Sequence, residues 1–311
     1  MLATLVAEPF DDPGWLFETK WDGVRALCTI AEGGRVSLTS RNGLDLAGQF
    51  PELAALDKAF GALPVLLDGE IASLDSDGRS SFQRLQGRLN RPDPDRRVRE
   101  ATPVTYVVFD LLYHGGRDLR SRPLSYRKSL LERSLRAGAR SVSYSKHIVG
   151  EGRKLYELAQ AYSLEGIVGK LARSAYVERR SRDWVKIKIQ RRQEFVIGGW
   201  TEPRGARKLF GALLLGVYDK GRLDYVGHVG TGFGAASLEE VMRRLAPWET
   251  DRCPFGKRPS ANAPCHWVQP RLVAEVKFGE WTTDGILRQP VFLGLRQDKA
   301  PSQCRRETEV R

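Results

Sequence analysis

From about residue 192 onward the chain is written in short apolar runs punctuated by glycine, and that texture leaves few folds open. The runs at 195–200, 209–218, 223–229, 272–278 and 291–295 have the length and the β-branched or aromatic content of strands. One helical pattern, 237–245, lies among them. Five strands and one helix in about 115 residues suit a small closed barrel of the oligonucleotide-binding (OB) type. Before that point strands and helices alternate. Residues 26–31 and 35–40 form a hairpin pattern about Gly33-Gly34. Pro51 opens a helical pattern carried by Leu53, Leu56 and Phe60. Residues 65–74 and 104–112 read as strands, and 123–136 and 152–163 as amphipathic helices ending near Gly138 and before Gly166. The stretch 88–99, rich in Arg, Pro and Asp, reads as an exposed loop. Two domains are expected, 1–190 and 191–311.

With 311 residues, 41% of them hydrophobic, the chain has ample material for two cores. No apolar run approaches the ~18 to 20 residues of a membrane span. The first fifteen residues carry Glu8, Asp11 and Asp12 rather than an apolar signal core, so a cytoplasmic protein without membrane association is expected. The four cysteines form no CxxC pair; Cys253, Cys265 and His266 lack a fourth ligand at zinc-like spacing, and reduced thiols are expected. The net charge of +12 favours a polyanionic partner. Much of the excess sits between Arg173 and Arg192, where eight basic residues meet only Glu178 and Asp183. At 184–189 the alternation is expected to put apolar side chains on one strand face and Lys186 and Lys188 on the other, a pair that asks for phosphate.

The hexapeptide Lys20-Trp21-Asp22-Gly23-Val24-Arg25 follows a strand pattern at 15–20 and precedes another at 25–30, with a turn at Asp22-Gly23. A lysine at a strand end is rigidly held yet reachable, as a nucleophile must be. By itself the hexapeptide also fits an ordinary exposed lysine beside a turn. Other segments have the same double character. Arg41 stands beside an Asn-Gly turn, and Asp68 and Glu70 lie inside a strand, where burial demands a cation. Phe109-Asp110 ends an apolar run, Glu165 stands at the mouth of a strand that reaches Lys170, and Arg296-Gln297-Asp298-Lys299 lies near the end of the chain.

In order and spacing these segments resemble the covalent nucleotidyltransferase superfamily of ATP-dependent polynucleotide ligases and mRNA capping enzymes. The resemblance runs end to end and includes all six superfamily motifs. It is greatest to the ligase module of bacterial end-joining proteins, through Glu8-Pro9-Phe10 with Trp15 to Glu18, Arg182-Asp183-Trp184, Glu280-Trp281-Thr282 with Asp284-Gly285, and Phe292 to Arg296. The resemblance implies an α+β fold: a nucleotidyltransferase (adenylation) domain of antiparallel sheets flanked by helices, then a C-terminal OB-fold β-barrel. It implies an ATP-dependent DNA ligase that seals 5′-phosphate/3′-hydroxyl nicks in DNA repair or end joining. Lys20 would carry the AMP. Glu18 would read the adenine, Arg25 and Glu70 would flank the ribose and phosphate, and Arg41 would contact the nucleotide or nick. Phe109 would stack on the base. Glu165, with Glu70, would hold Mg2+ (or Mn2+). Lys186 and Lys188 would face the α-phosphate, and Arg296, Asp298 and Lys299 would orient the leaving pyrophosphate. Nicked double-stranded DNA is the implied partner, with end-joining proteins or fused polymerase or nuclease modules, for a monomeric enzyme. The chain shows no counterpart of the extra N-terminal DNA-encircling domain of large replicative ligases; whether it is free-standing or a module stays open. Capping enzymes and RNA ligases share the lysine motif; the ligase-like 296–299 segment favours DNA. A non-catalytic basic module with this fold is disfavoured by the presence of every expected acid, base and nucleophile.

The chemistry requires a neutral amine. At a pKa of ~10.4 only about one lysine in a thousand is neutral near pH 7.4, a deficit of ~3 pK units or about 4 kcal/mol. Lys186, Lys188, Arg25 and a metal are expected to disfavour the ammonium at Lys20.

Overall fold

The computed structural model describes residues 1–89, 93–136, 138–139, 141–189, 191–204, 208–260 and 263–307. The described residues divide into two compact units, one formed by Met1–Ile189 and the other by the residues from 191 to Glu307.

The first unit holds two sheets. One contains β1 (Leu2–Leu5), β2 (Asp12–Thr19), β9 (His147–Gly150), β10 (Gly166–Leu171) and β11 (Arg180–Lys188), in the order β1-β11-β10-β2-β9. The other runs β4 (Val36–Ser40), β3 (Val24–Ile30), β5 (Val65–Ala72), β6 (Thr105–His114), β7 (Arg117–Asp118), with β8 (Val142–Tyr144) beside β6. Pairing is antiparallel except for β1 with β11 and β6 with β8. Period-two burial along β3 sends Val24, Ala26, Cys28 and Ile30 into a core shared with α1 (Phe82–Leu89) and the 3₁₀ segment Pro51–Ala59. In the first sheet Phe17, Ile167, Val185 and Ile187 pack with Ala159 of α4 (Gly152–Ala161). The opposite faces carry Lys20 and Arg25.

Two local expectations are corrected. The stretch 88–99 is not a loop throughout. Arg88 is buried in α1, donating to the Gln49 and Thr102 carbonyls and pairing with Glu52 at 2.8 Å, and α2 (Arg96–Ala101) is N-capped by Asp95; residues 90–92 lie outside the described residues. Trp184 shares the lysine face of β11, packing with Leu16 and Phe109 rather than with Val185 and Ile187.

In the second unit β12 (Arg192–Thr201) pairs with β13 (Leu213–Asp219), which pairs with β14 (Arg222–Val229). The first half of β12 also pairs with β15 (Val273–Lys277), which continues to β16 (Val291–Arg296). A bridge between Thr231 and Val291 joins the far edges, so five strands close into an OB-type barrel. The helix α5 (Ala235–Leu245) contributes Val241 and Leu245 to its core.

Candidate active site

Each residue of the lysine hexapeptide has a separate structural duty. The backbone N–H of Lys20 donates to the Gly166 carbonyl at 2.9 Å, extending the β2/β10 ladder by one residue. Trp21 Nε1 donates to Ser145 Oγ at 3.0 Å. The Asp22 carboxylate accepts the Phe82 N–H at 3.1 Å and so caps α1. Gly23 crosses β5 so closely that a Cβ there would lie 2.2 Å from the Ile71 carbonyl oxygen. After it the chain enters the second sheet as β3. The hexapeptide is therefore the passage between the two sheets rather than a hairpin turn.

Register decides what faces Lys20. Across β11, β10 and β2, Lys188 pairs with Gly166, Lys186 with Val168 and Trp184 with Lys170, and β2 continues these rows with Glu18 opposite Val168 and Leu16 opposite Lys170. Directly opposed residues share a face, so Lys20, Glu18, Lys170, Lys186 and Lys188 all project to one side. In the second sheet Arg25 pairs with Glu70, and the row extends to Arg41, just beyond the Ser40–Ala26 pair. Arg41 is exposed at that sheet edge, and Glu70 is half-buried. Phe109 is skipped where the β5/β6 register shifts from Asp68–Asp110 to Gly69–Val108, and such a bulge re-aims a side chain. Its ring stands edge-on to Trp184 at 6.0 Å, with the Arg25 guanidinium 5.6 Å from its centroid.

The charges are densely paired. Lys20 Nζ contacts Glu165 Oε2 at 2.6 Å. Burial alone would lower the lysine pKa, but the Glu165 contact outweighs it, aided by Glu70 and Asp22, and the pKa is raised. Among the protein's own groups the carboxylates thus outweigh Lys186, Lys188 and Arg25, the cations expected, together with a metal, to disfavour the ammonium. Lys188 lies two strands away, about 10 Å by strand spacing, whereas the carboxylate is in contact. Arg25 forks onto Asp68 at 2.9 and 2.5 Å, and Tyr176 Oη donates to the same carboxylate at 2.9 Å. Burial would raise the Asp68 pKa, but Arg25 holds it below the ordinary range. The cation required by the buried acid of β5 is thus Arg25.

Below this lies a cluster that sequence reasoning missed. Glu18, 2% exposed, meets Lys128 at 2.8 Å and Lys170 at 3.0 Å and accepts from Ser145 Oγ at 2.8 Å. Despite burial, the two ammoniums depress its pKa. Lys170 Nζ sits 4.3 Å from the Phe109 centroid and 4.4 Å from that of Trp184, and burial pulls its pKa down to about 8. The available signal was Lys170 at even spacing from Val168 on a buried strand. Lys128, on α3 (Leu124–Ser134), gave none, because an amphipathic helix usually turns a lysine outward.

In the second unit Arg296 forks onto Asp298 at 2.8 and 2.7 Å and reaches Glu275 at 2.7 Å, while Lys299 pairs with Glu194 at 3.1 Å. Glu194 and Glu275 are direct cross-strand partners, so these cations also separate two like charges. No cluster of three or more His, Cys, Asp or Glu suited to a metal occurs among the described residues. Glu165 and Glu70, as two carboxylates, fit an ion that completes its shell with phosphate and water, as Mg2+ or Mn2+ does. No helix among the described residues is long and apolar enough to cross a membrane.

Residues 1–188 match the family described as the ATP dependent DNA ligase domain, and 206–299 match the ATP dependent DNA ligase C terminal region. The chain belongs to the ATP-dependent DNA ligase family. The multifunctional non-homologous end joining protein LigD of Pseudomonas aeruginosa is 42% identical over 304 residues, covering 96% of this ligase chain and 35% of the relative. The multifunctional non-homologous end joining DNA repair protein LigD of Mycobacterium tuberculosis is 39% identical over 297 residues, covering 94% of this chain and 37% of its own length. The ligase chain thus spans about a third of these relatives. A solved mycobacterial DNA ligase D complexed with ATP and MES superposes with a TM-score of 0.69 at 35% identity, over 98% of both chains. The fold is accordingly the adenylation domain and OB barrel of an ATP-dependent ligase.

Proposed function

We propose that this ligase seals 5′-phosphate/3′-hydroxyl nicks in duplex DNA through an AMP carried on Lys20. The observation that carries the assignment of Lys20 is its position: a strand-end amine in contact with Glu165 on the face that also presents Lys186 and Lys188. Residues 1–190 would be the adenylation domain and 191–311 the OB domain.

In the first step the neutral Lys20 amine attacks the α-phosphorus of ATP; the N–P bond forms as the bond to pyrophosphate breaks. The AMP then passes to the nick 5′-phosphate, breaking the N–P bond, and the 3′-hydroxyl displaces AMP to close the strand. Dividing the joining in this way replaces one hard displacement by easier ones. Lys186 and Lys188 would stabilise charge on the α-phosphoryl oxygens. Phe109 would stack on the adenine, Glu18 would read its edge, and Arg25 and Arg41 would hold phosphate or ribose. Glu165 and Glu70 would hold the Mg2+ or Mn2+, which when bound neutralises the carboxylates that keep the Lys20 proton and polarises the phosphoryl group. Arg296 and Lys299, ordered by Asp298, would act on the leaving pyrophosphate.

By analogy with the bacterial relatives, the setting is DNA repair or end joining in the cytoplasm, on the nucleoid, by a monomer acting with end-joining proteins or with polymerase or nuclease modules. Incubation with labelled ATP or GTP, followed by intact mass spectrometry, is the test. One AMP adduct that disappears in Lys20→Ala, with sealing of nicked DNA in preference to nicked RNA, is expected. A Lys20→Ala chain that still seals nicks would overturn the covalent mechanism, and GMP labelling would point to capping.

A further inference from the structure

Of the eight basic residues at 173–192 only Lys186 and Lys188 belong to the site above, and the fold joins the first four, Arg173, Arg179, Arg180 and Arg182, to a second set of arginines. The segments 117–126 and 172–182 are laced together by backbone hydrogen bonds: Tyr176 N to Arg120 O at 2.7 Å, Ser125 N to Ala172 O at 2.9 Å and Leu124 N to Ser174 O at 3.0 Å. Beneath them Arg127, fully buried on Asp110 at 2.7 and 2.8 Å, donates to the carbonyls of Arg122 and Ser174, so the two segments form one rigid surface.

That surface carries seven arginines and two acids. All seven arginines are exposed, and none of the basic residues in the two segments is a lysine. Both acids are taken by a single arginine: Arg120 holds Asp118 at 2.8 Å and Glu178 at 2.9 Å. Arg180 donates to the Ala3 carbonyl. Arg117, Arg122, Arg173, Arg179 and Arg182 make no ion pair with any described residue. Arg122 lies 5.6 Å over the ring of Tyr126, which is 44% exposed. A charge run on a merely solvated face ordinarily intersperses acids and lysines. Here rigid backbone displays uncompensated guanidinium forks, the geometry suited to phosphate oxygens. The surface also abuts the nucleotide cleft, because Tyr176 of the same loop donates to Asp68, the partner of Arg25.

We infer that this arginine surface is a grip for the sugar-phosphate backbone of the duplex beside the nick, distinct from the residues that handle ATP. The inference rests on the ligase reading and adds where the adenylation unit holds its DNA. Such contacts position the duplex without reading its sequence. They also release counterions, so each one should appear in the salt dependence of binding.

The experiment compares wild type with Arg117→Gln/Arg122→Gln/Arg173→Gln/Arg179→Gln, titrating labelled nicked duplex over a range of salt. The slope of log affinity against log salt should fall by about 3 to 4, since each lost phosphate contact removes about 0.9. Affinity near physiological salt should drop about tenfold or more, and the matching quadruple Arg→Lys variant should retain most of the slope. AMP incorporation without DNA serves as the folding control and should match wild type. Should the quadruple variant fail that control, single Arg173→Gln and Arg179→Gln variants, each expected to lower the slope by about 1, carry the same test. An unchanged slope with normal AMP incorporation would overturn the grip while leaving the ligase reading intact. An unsubstituted chain that takes up AMP but neither binds nor seals nicked duplex would overturn both.

Discussion

Lys20 and Glu165 stand 145 positions apart in sequence and 2.6 Å apart in space, and their contact governs the protonation of the amine proposed as the nucleophile. The raised Lys20 pKa means that the pair stabilises the fold fully below the ordinary lysine value and loses that contribution as pH rises through the folded one. It also means that the amine resists acylation. Glu165→Gln removes the largest opposition to burial and leaves only Glu70 and Asp22 against it, so modification of Lys20 by an amine reagent near pH 8 in metal-free buffer should quicken by up to about tenfold per pK unit lost. Peptide mapping reads this directly, and an unchanged rate would acquit Glu165 of holding the proton. Arg127→Met leaves the fully buried Asp110 without its counter-ion. Urea unfolding should show a loss of about 3–5 kcal/mol.

At the level of the element, register turns separate motifs into one site. Gly166 begins β10 opposite Lys188 and accepts the Lys20 N–H, and a Cβ there would lie 2.1 Å from the Ile187 carbonyl oxygen. Gly166→Ala must therefore push β10 and β11 apart. A stability loss of about 1–3 kcal/mol is expected from the overpacking, together with slower AMP incorporation, measured by thermal denaturation and intact mass. Normal incorporation would show that the row joining Lys20 to Lys188 tolerates displacement. Most of these elements are legible locally: the five barrel strands through their length and their β-branched and aromatic content, the hairpin at 26–40 through Gly33-Gly34, and the strand at 184–189 through its alternation. The 3₁₀ geometry of Pro51–Ala59 and the short α2 are not, because their apolar spacing is compatible with more than one helical or loop form.

Across the whole molecule, buried charge is arranged in opposed sets that titrate in different directions. Glu18 and Asp68 have depressed pKa values, so their contribution is present above the ordinary carboxylate range and lost as pH falls through their folded values. Acid should accordingly destabilise the first unit, as protonation leaves Lys128, Lys170 and Arg25 without counter-charge. Lys170 works the other way. With its pKa lowered to about 8 from 10.5, the unfolded chain binds a proton that the folded chain has released, so its contribution rises with pH across that interval. Denaturant melts from acid to alkaline pH should show the acid-side fall; a flat profile would contradict the pairing. For the second unit, Arg296→Ala should slow AMP loading about a hundredfold while leaving closure of a pre-adenylated nick near wild type. Equal losses in both would remove the pyrophosphate role.

The order of the motifs determined the family, and the texture of the short apolar runs determined the barrel. These depend on residue type, spacing and strand periodicity, all of which are properties of neighbours along the chain. Tertiary structure decided that Lys20 keeps its proton, that Arg25 is the partner of Asp68, that Lys128 and Lys170 converge on Glu18, and that arginines from two remote segments share one surface. Electrostatic energy falls with distance through space, and that distance is set only when the sheets and helices meet.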